Sequence, residues 1–469
     1  MHLPEDGEHH VIIVGGGFGG LYAAKALGNK PVRVTFIDRR NYHLFQPFLY
    51  QVATGGLSPG DIATPLRAIV SRLKNIRVLQ ADVTDLDPSQ QIVYLKDGQV
   101  SYDTLIIAAG VTHHYFGHDT WAPLAPGLKT IEGALDLRQR IFSAFERAET
   151  EEDTERLNAE MTFVIIGAGP TGVELAGALG ELAHHTLIND FRHIDTRDVK
   201  ILLLEGADRI LPPYPPVLSE RAAKSLDKLG VTVITGAKVT DIEDHIITYT
   251  DGEHTHQIQA ATAIWPAGMK ASALAHVLAE RTGVALDVFG RVKVTEHLTV
   301  PGQTDILVIG DLAYREDQAG TPLPGICPVA IQQGGYAAKL ILNRLKDKAT
   351  KAFRYVDKGS MAVIGRHAAV VKLGRLKFGG FPAWLTWIFI HIAYLIEFDN
   401  KLVVLIRWAW NYLTKKKGGQ AHHQSSRMTI RHFRHLPVDR CAIFIYLLML
   451  RLLVSFIVFH SSPSPIMTS

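Results

Sequence analysis

Two stretches carry residues whose types and spacing could do chemistry together. The first is VIIVGGGFGGLYAAKAL, 11–27, where Gly15, Gly17 and Gly20 form G-x-G-x-x-G between an apolar run and a helix-like segment. The second is FVIIGAGPTGVELAGAL, 163–179, with Gly167, Gly169 and Gly172 in the same pattern. In such a turn the first glycine permits the tight bend, the second lets a pyrophosphate approach the backbone, and the third lets the helix pack on the strand. The N–H groups and dipole at the helix start favour phosphate oxygens. Each turn also calls for a carboxylate that can bind a ribose hydroxyl. Asp38 ends the apolar run 32–37, about 20 residues beyond the first turn, the spacing expected. Glu205 ends 201–204, after a longer interval, so the second helix is extended or followed by an insert, with the polar, histidine-rich 184–198 as the candidate. A carboxylate at 205 repels a 2′-phosphate and favours NADH over NADPH, although Arg209 is near enough to keep that point open.

Two dinucleotide turns in one chain are most simply explained by a bound flavin and an exchanging nicotinamide, with hydride passing between them. The expected arrangement is FAD on the first turn and NADH on the second. ILVIGD, 306–311, is an apolar strand ending in Asp311, the type of strand that returns to a flavin domain and offers its carboxylate to the ribityl chain. LIIAAG, 105–110, reads as the strand closing the first half of that domain, and AIWPAG, 263–268, as its counterpart in the second.

The elements that must hold these residues follow from the order of the motifs. The 469 residues are too many for one core of ordinary size. The fold class is α/β, with two Rossmann-like dinucleotide-binding domains and C-terminal membrane-associated helices. Residues 1–160 read as the first part of the FAD-binding domain, ending in a charged connecting helix, 133–156. Residues 161–289 read as the NADH-binding domain, 290–345 as the second part of the FAD domain, 346–418 as a membrane-anchoring region, and 419–469 as a basic linker and hydrophobic tail. A net charge of +3 gives no general case for nucleic acid. Cys327 and Cys441 lie far apart, which argues against a dithiol centre or a disulfide framework. The 22 histidines show no metal-ligand spacing, and the polar start of the chain shows no secretory leader.

Four further stretches go beyond the generic flavoprotein pattern: NYHLFQPFLYQVATGGLSPGDIATPLR at 41–67, GAGPTGVELAGAL at 167–179, PVAIQQGGYAAKLI at 328–341 and FRYVDKGSMAVIGRHAAV at 353–370. With the tryptophan-rich segments downstream, they closely resemble type II NADH dehydrogenases, single-chain NADH:quinone oxidoreductases that do not pump protons. The resemblance covers 8–418. It implies that Gly15, Gly17, Gly20, Asp38, Ala109 and Asp311 hold FAD, and that Gly167, Gly169, Gly172 and Glu205 hold NADH. It implies that Glu174 lies where nicotinamide and flavin stack, and that Gln332 and Gln333 face a membrane quinone, ubiquinone or menaquinone. Ala178 is a departure, since some similar sequences carry an acid there. Chemically, neutral amides suit quinone carbonyls. The plain alternatives are that the glutamines begin an exposed polar helix and that Glu174 is a first-turn acid complementing its helix dipole. His43 reads as structural and Cys327 as small packing.

The C-terminal end is apolar, aromatic and basic. FPAWLTWIFIHIAYLI, 381–396, falls short of the ~20 residues needed to span a bilayer. LVVLIRWAWNYL, 402–413, carries Trp408, Trp410 and Tyr412 and precedes Lys415, Lys416 and Lys417, a composition that suits a helix lying in the lipid interface. A buried helical hairpin or a homodimer contact is the alternative. The run 442–459 is long enough to cross a bilayer but contains Arg451; it reads either as a membrane helix or as a lineage-specific or misread tail. The expected location is peripheral, on the cytoplasmic face of the inner (cytoplasmic) membrane. Other expected candidates are a ferredoxin-type reductase, a sulfide:quinone reductase, which would want redox cysteines, and a flavin-dependent redox sensor.

Overall fold

The computed structural model describes residues 8–395 and 398–414. Its apolar runs form strands buried on both faces, as expected where helices cover a parallel sheet on either side. The first sheet has six strands in the order Thr299–Val300, Gln303–Val308, Thr104–Ile107, His10–Val14, Arg33–Asp38, Ile76–Gln80. All neighbours pair in parallel except the outermost Thr299–Val300. The second sheet has four parallel strands in the order Val231–Thr235, Lys200–Glu205, Thr162–Ile166, Thr262–Ile264.

In each sheet the strand before the glycine turn lies between the next strand of its own unit and a strand arriving later in the chain. Strand order reverses at that point, and a crevice opens beyond the carboxyl ends of the strands. The two glycine turns therefore sit at equivalent places in two copies of one topology. Two short crossing segments, Val111–His113 and Met269–Ala271, pair antiparallel and tie the sheets together.

Some sequence-based bounds move. The connecting helix read as 133–156 is two helices, Ile131–Thr150 and Thr154–Glu160. Asp153 is the reason: its side chain caps the second helix by accepting from the Arg156 N–H, which requires an extended backbone where a continuous helix would run. The segment 263–268 is strand only over Thr262–Ile264, because Pro266 has no N–H for a ladder. The interval before Glu205 is resolved as an insert: helix Pro170–Glu181 continues as one π turn, Leu182–Thr186, and an irregular segment then leads to Lys200–Glu205.

A three-stranded antiparallel sheet, Ser360–Gly365, Ala368–Leu373 and Leu376–Gly379, follows and packs on the second-turn helix. Helices Phe381–Tyr394 and Phe398–Thr414 end the described chain. Among the described residues, no helix is long and apolar enough to cross a membrane. The lysines at 415–417 and the apolar run 442–459 lie outside the described residues.

Candidate functional site

The two turns are built alike. Gly15 and Gly167 have φ of +110° and +109°, a conformation that favours glycine. A Cβ on Gly15 would strike the Ala108 carbonyl, and one on Gly167 would come within 2.8 Å of Ala267 Cβ. A Cβ on Gly20 or Gly172 would collide with the carbonyl oxygen of Gly15 or Gly167 respectively. Around the middle glycines, Gly17 and Gly169, no atom lies within 4 Å of an added Cβ. The first and third glycines are thus required by the protein's own packing. The second faces open space, where an approaching ligand would be the neighbour. Gly17 and Gly169 are also the N-caps of their helices, and neither helix start has a side-chain cap. The first N–H groups of both helices therefore remain available to an anion.

The two acids are anchored in the same way. The Asp38 carboxylate accepts from Gly16 N at 2.5 Å and Arg40 N at 2.6 Å. The Glu205 carboxylate accepts from Ala168 N at 2.7 Å and Ala207 N at 2.9 Å. Burial raises the Asp38 pKa, and the two backbone bonds oppose the shift. Each carboxylate is fixed against the turn it serves. Arg209, which kept a 2′-phosphate in play, has its guanidinium on the Pro212 carbonyl at 2.9 Å and near Asp208 at 3.6 Å.

His43, read as structural, proves to brace the first turn. It is only 1% exposed, its Nδ1 lies 2.8 Å from the Gly16 carbonyl oxygen, and its ring meets Phe18 edge-on. Burial pushes its pKa down to about 4, so the imidazole is neutral and can donate to that carbonyl.

Beyond the turns several further candidate residues are partly covered by the fold. Glu174, Asp311, Lys129 and Cys327 are each half-buried. Asp311 sits in the turn Gly310–Leu312, just past the returning strand. Ala109 lies at the end of Thr104–Ile107, its backbone against Gly15. Burial raises the Asp311 pKa and lifts the Cys327 thiol to about 12, so Cys327 is an inert thiol. Burial likewise pushes Glu174 up to about 8, against a long contact from Val363 N at 3.4 Å. The sequence could not separate a surface first-turn acid from a buried one; the geometry places Glu174 inside. Burial raises the pKa of both Tyr50 and Tyr214, and the Glu174 carboxylate adds to that shift.

The two glutamines point apart, as neighbours on a helix must. Gln333, 1% exposed, accepts from Gly310 N at 2.6 Å, beside Asp311. Gln332 pairs with the Val356 backbone in both directions, at 2.9 Å and 3.0 Å. Neither is a free polar side chain in solvent. Ala178, the departure from similar sequences, is buried within the second-turn helix.

Sequence reasoning passed over Tyr50 and Gln51. Gln51 Nε2 donates to the Tyr50 hydroxyl at 2.9 Å, and its oxygen accepts from Trp408 Nε1 at 2.9 Å. A polar chain thus runs from the last helix towards Glu174. Around it Phe48, Trp387, His391 and Trp408 form an aromatic box, with ring centroids 4.4 Å to 5.8 Å apart. The signal was present in FQPFLYQ, 45–51, but nothing local to it shows the helix that completes the box. On the last two described helices Phe381, Phe389, Leu402, Val403 and Ile406 are exposed, Ile406 by 53%. Among the described residues, no group of histidine, cysteine and acidic side chains could hold a metal ion.

Residues 9–334 match the family described as pyridine nucleotide-disulphide oxidoreductase. The chain is 45% identical over 418 residues to the type II NADH:quinone oxidoreductase Ndh of Mycobacterium tuberculosis, covering 87% of this chain and 89% of that protein. It is 43% identical over 425 residues to NdhA of the same organism, covering 88% and 89%. A solved structure of NDH2 from Plasmodium falciparum in complex with NADH superposes with a TM-score of 0.79 at 19% identity, covering 87% of this chain and 99% of that one, a likeness of fold. On its sequence, the chain belongs to the type II NADH:quinone oxidoreductases, within the pyridine nucleotide-disulphide oxidoreductase family.

Proposed function

We propose that the protein oxidises NADH and reduces a membrane quinone through FAD, as a respiratory-chain enzyme that does not pump protons. The observation that carries it is the pair of matching turns, each with an anchored carboxylate and an uncapped helix start, with the half-buried Glu174 on the helix that follows the second. The first turn fits FAD: open space at Gly17, the fixed Asp38 carboxylate for the ribose, and Asp311 for the ribityl chain. The second fits NADH: Gly169, the fixed Glu205, and an Arg209 already engaged elsewhere. FAD, when bound, supplies the two-electron chemistry that links a hydride donor to a quinone.

The chain's own residues do the rest. Glu174, with its carboxyl near 8, holds a proton at neutral pH and can release it towards a reduced quinone, with the Tyr50–Gln51 pair next to it. Gln333 uses its oxygen on Gly310, which leaves its amide N–H2 as the donor for a quinone carbonyl. Gln332 takes part only when its pairing with Val356 opens. The aromatic box gives a lipid-soluble ring an apolar wall. In this proposal residues 1–160 and 290–345 form the FAD unit, 161–289 the NADH unit and 346–418 the lipid-facing part. The exposed apolar row rests on the bilayer at the cytoplasmic face, and a homodimer through the same region is compatible with it.

The test is steady-state NADH oxidation by the purified protein with a soluble quinone, with NADPH as control. Yellow protein with quinone-dependent NADH loss is expected. Colourless protein that takes up no added flavin, or bleaching by NADH without acceptor-dependent turnover, overturns it.

A further inference from the structure

We propose that the Phe116 ring contacts the nicotinamide half of NADH bound on the second turn and holds that half of the dinucleotide in place. This deepens the reading of the second turn as the NADH site and rests on it.

The two dinucleotide units match closely enough to be compared position by position. Ala108 N donates to the Val14 carbonyl at 2.7 Å, and Ala267 N donates to the Ile166 carbonyl at 3.0 Å. Val14 and Ile166 each precede the first glycine of their turn, so Gly268 stands in the second unit where Ala109 stands in the first. Glu205 and Gly268 flank the second turn from opposite sides. Strand Lys200–Glu205 lies on one side of Thr162–Ile166, and Thr262–Ile264, which leads to Gly268, lies on the other. A dinucleotide crossing such a turn puts its adenosine ribose at the acid and its other nucleoside over the opposite strand. Gly268 is therefore on the nicotinamide side.

The first unit stays open at this end: a Cβ added to Gly110, next to Ala109, meets no atom within 4 Å. In the second unit a Cβ on Gly268 would strike the His114 carbonyl oxygen and come within 3.0 Å of Phe116 Cε2 and 3.1 Å of Cζ. Phe116 is 56% exposed, although Tyr115, Trp121 and Trp265 beside it are buried in an aromatic cluster. Its ring centroid lies 4.7 Å from that of His114 and 6.3 Å from that of Trp265. Its φ is +53°, a left-handed conformation unfavourable for a bulky side chain, and Gly117 follows with φ of +95°. Strain of this type persists only where the surroundings impose it, and it gathers at ligand sites. Here the strained backbone keeps the ring out of the buried cluster and beside Gly268. In that place it offers an apolar aromatic surface to a planar heterocycle.

The experiment makes Phe116→Ala, Phe116→Gly and Phe116→Tyr in the full, FAD-loaded chain. It measures flavin reduction by NADH without oxygen, KM for NADH and for a soluble quinone, competition by ADP, FAD content and melting temperature. Phe116→Ala and Phe116→Gly are expected to bind NADH about tenfold more weakly, with FAD content, KM for quinone and competition by ADP as in the wild type. ADP carries the adenosine half alone and does not reach the ring. Phe116→Tyr keeps the ring and is expected to bind NADH as the wild type does. Phe116→Gly relieves the left-handed strain and is expected to melt no lower than Phe116→Ala. Unchanged NADH binding in FAD-loaded Phe116→Ala overturns the proposal. Equal weakening of NADH and ADP also overturns it, because the ring would then shape the turn as a whole. Loss of FAD, or a collapse of melting temperature, in both small variants would make the ring structural and overturns it too. A wild type whose flavin NADH does not reduce would instead overturn the NADH assignment of the second turn.

Discussion

At the level of single residues, the glycines separate what the fold needs from what a ligand needs. A Cβ on Gly20 meets the Gly15 carbonyl, whereas a Cβ on Gly17 meets nothing. Gly20→Ala is therefore expected to cost about 1–3 kcal/mol of stability through overpacking. Gly17→Ala is expected to cost less than about 1 kcal/mol as a change of N-cap, yet to weaken FAD retention sharply. Urea denaturation of apoprotein beside flavin content of purified protein checks both; equal destabilisation by the two would remove the distinction. Glu174 carries the second expectation. Its carboxyl, held near 8, is protonated at neutral pH, so quinone turnover should decline as pH rises through about 8. In Glu174→Gln turnover should be slower, FAD should stay bound, and that alkaline limb should vanish. The same shift has a stability sign: the folded state binds this proton more tightly than the unfolded chain, so its contribution is full below about 4.5 and is lost as pH rises through about 8. A limb that persists in Glu174→Gln belongs to another group.

At the level of elements, the strands and helices that place the turns were legible, because apolar runs, glycines and strand-end acids are local in sequence. What joins the last helix to the site was not. Asn400 Nδ2 donates to Thr64 Oγ1 across 336 residues of sequence, Trp408 Nε1 to Gln51 Oε1 across 357, and Arg407 pairs with the buried Asp61 at 2.7 Å. Asp61 also accepts from Ser58 N at 2.7 Å within its own capping box, so its carboxylate is fixed before the arginine arrives. Composition showed a helix suited to lipid, and composition cannot show that three polar contacts hold that helix on 51–64. Gln333 was equally illegible: its carbonyl binds Gly310, a contact that exists only once the helix Cys327–Arg344 has packed beside the returning strand. Arg407→Leu leaves the Asp61 carboxylate without its cation and is expected to weaken docking of Phe398–Thr414 by about 1–3 kcal/mol. Hydrogen exchange should show that helix opening while the strands of both parallel sheets keep their protection. Uniform loss of protection across both sheets would mean that the contact supports the whole fold.

At the level of the whole molecule, one chain combines two glycine turns with uncapped helix starts and an apolar aromatic cluster whose helices also carry exposed aliphatic side chains. If those side chains bring the cluster to lipid, the enzyme's two classes of oxidant must respond differently to damage there. A short-chain quinone dissolved in water reaches the crevice whether or not the protein is on a membrane; a long-chain quinone confined to the bilayer does so only when the protein is docked. Leu402, Val403 and Ile406 are exposed, and full burial of such a side chain is worth about 1.5–3 kcal/mol. Ile406→Asp removes one such contribution and adds a charge that anionic headgroups repel. About 1.4 kcal/mol corresponds to tenfold, so binding to anionic vesicles is expected to fall by at least about tenfold. NADH oxidation with a soluble quinone should stay at the wild-type rate, because Ile406 is exposed and contributes no ring to the aromatic box. Turnover with a bilayer-confined quinone should fall in step with vesicle binding, and excess vesicles should restore it. Equal loss with both quinones would place Ile406 in the site itself. Undiminished vesicle binding would move the lipid contact to another part of the surface.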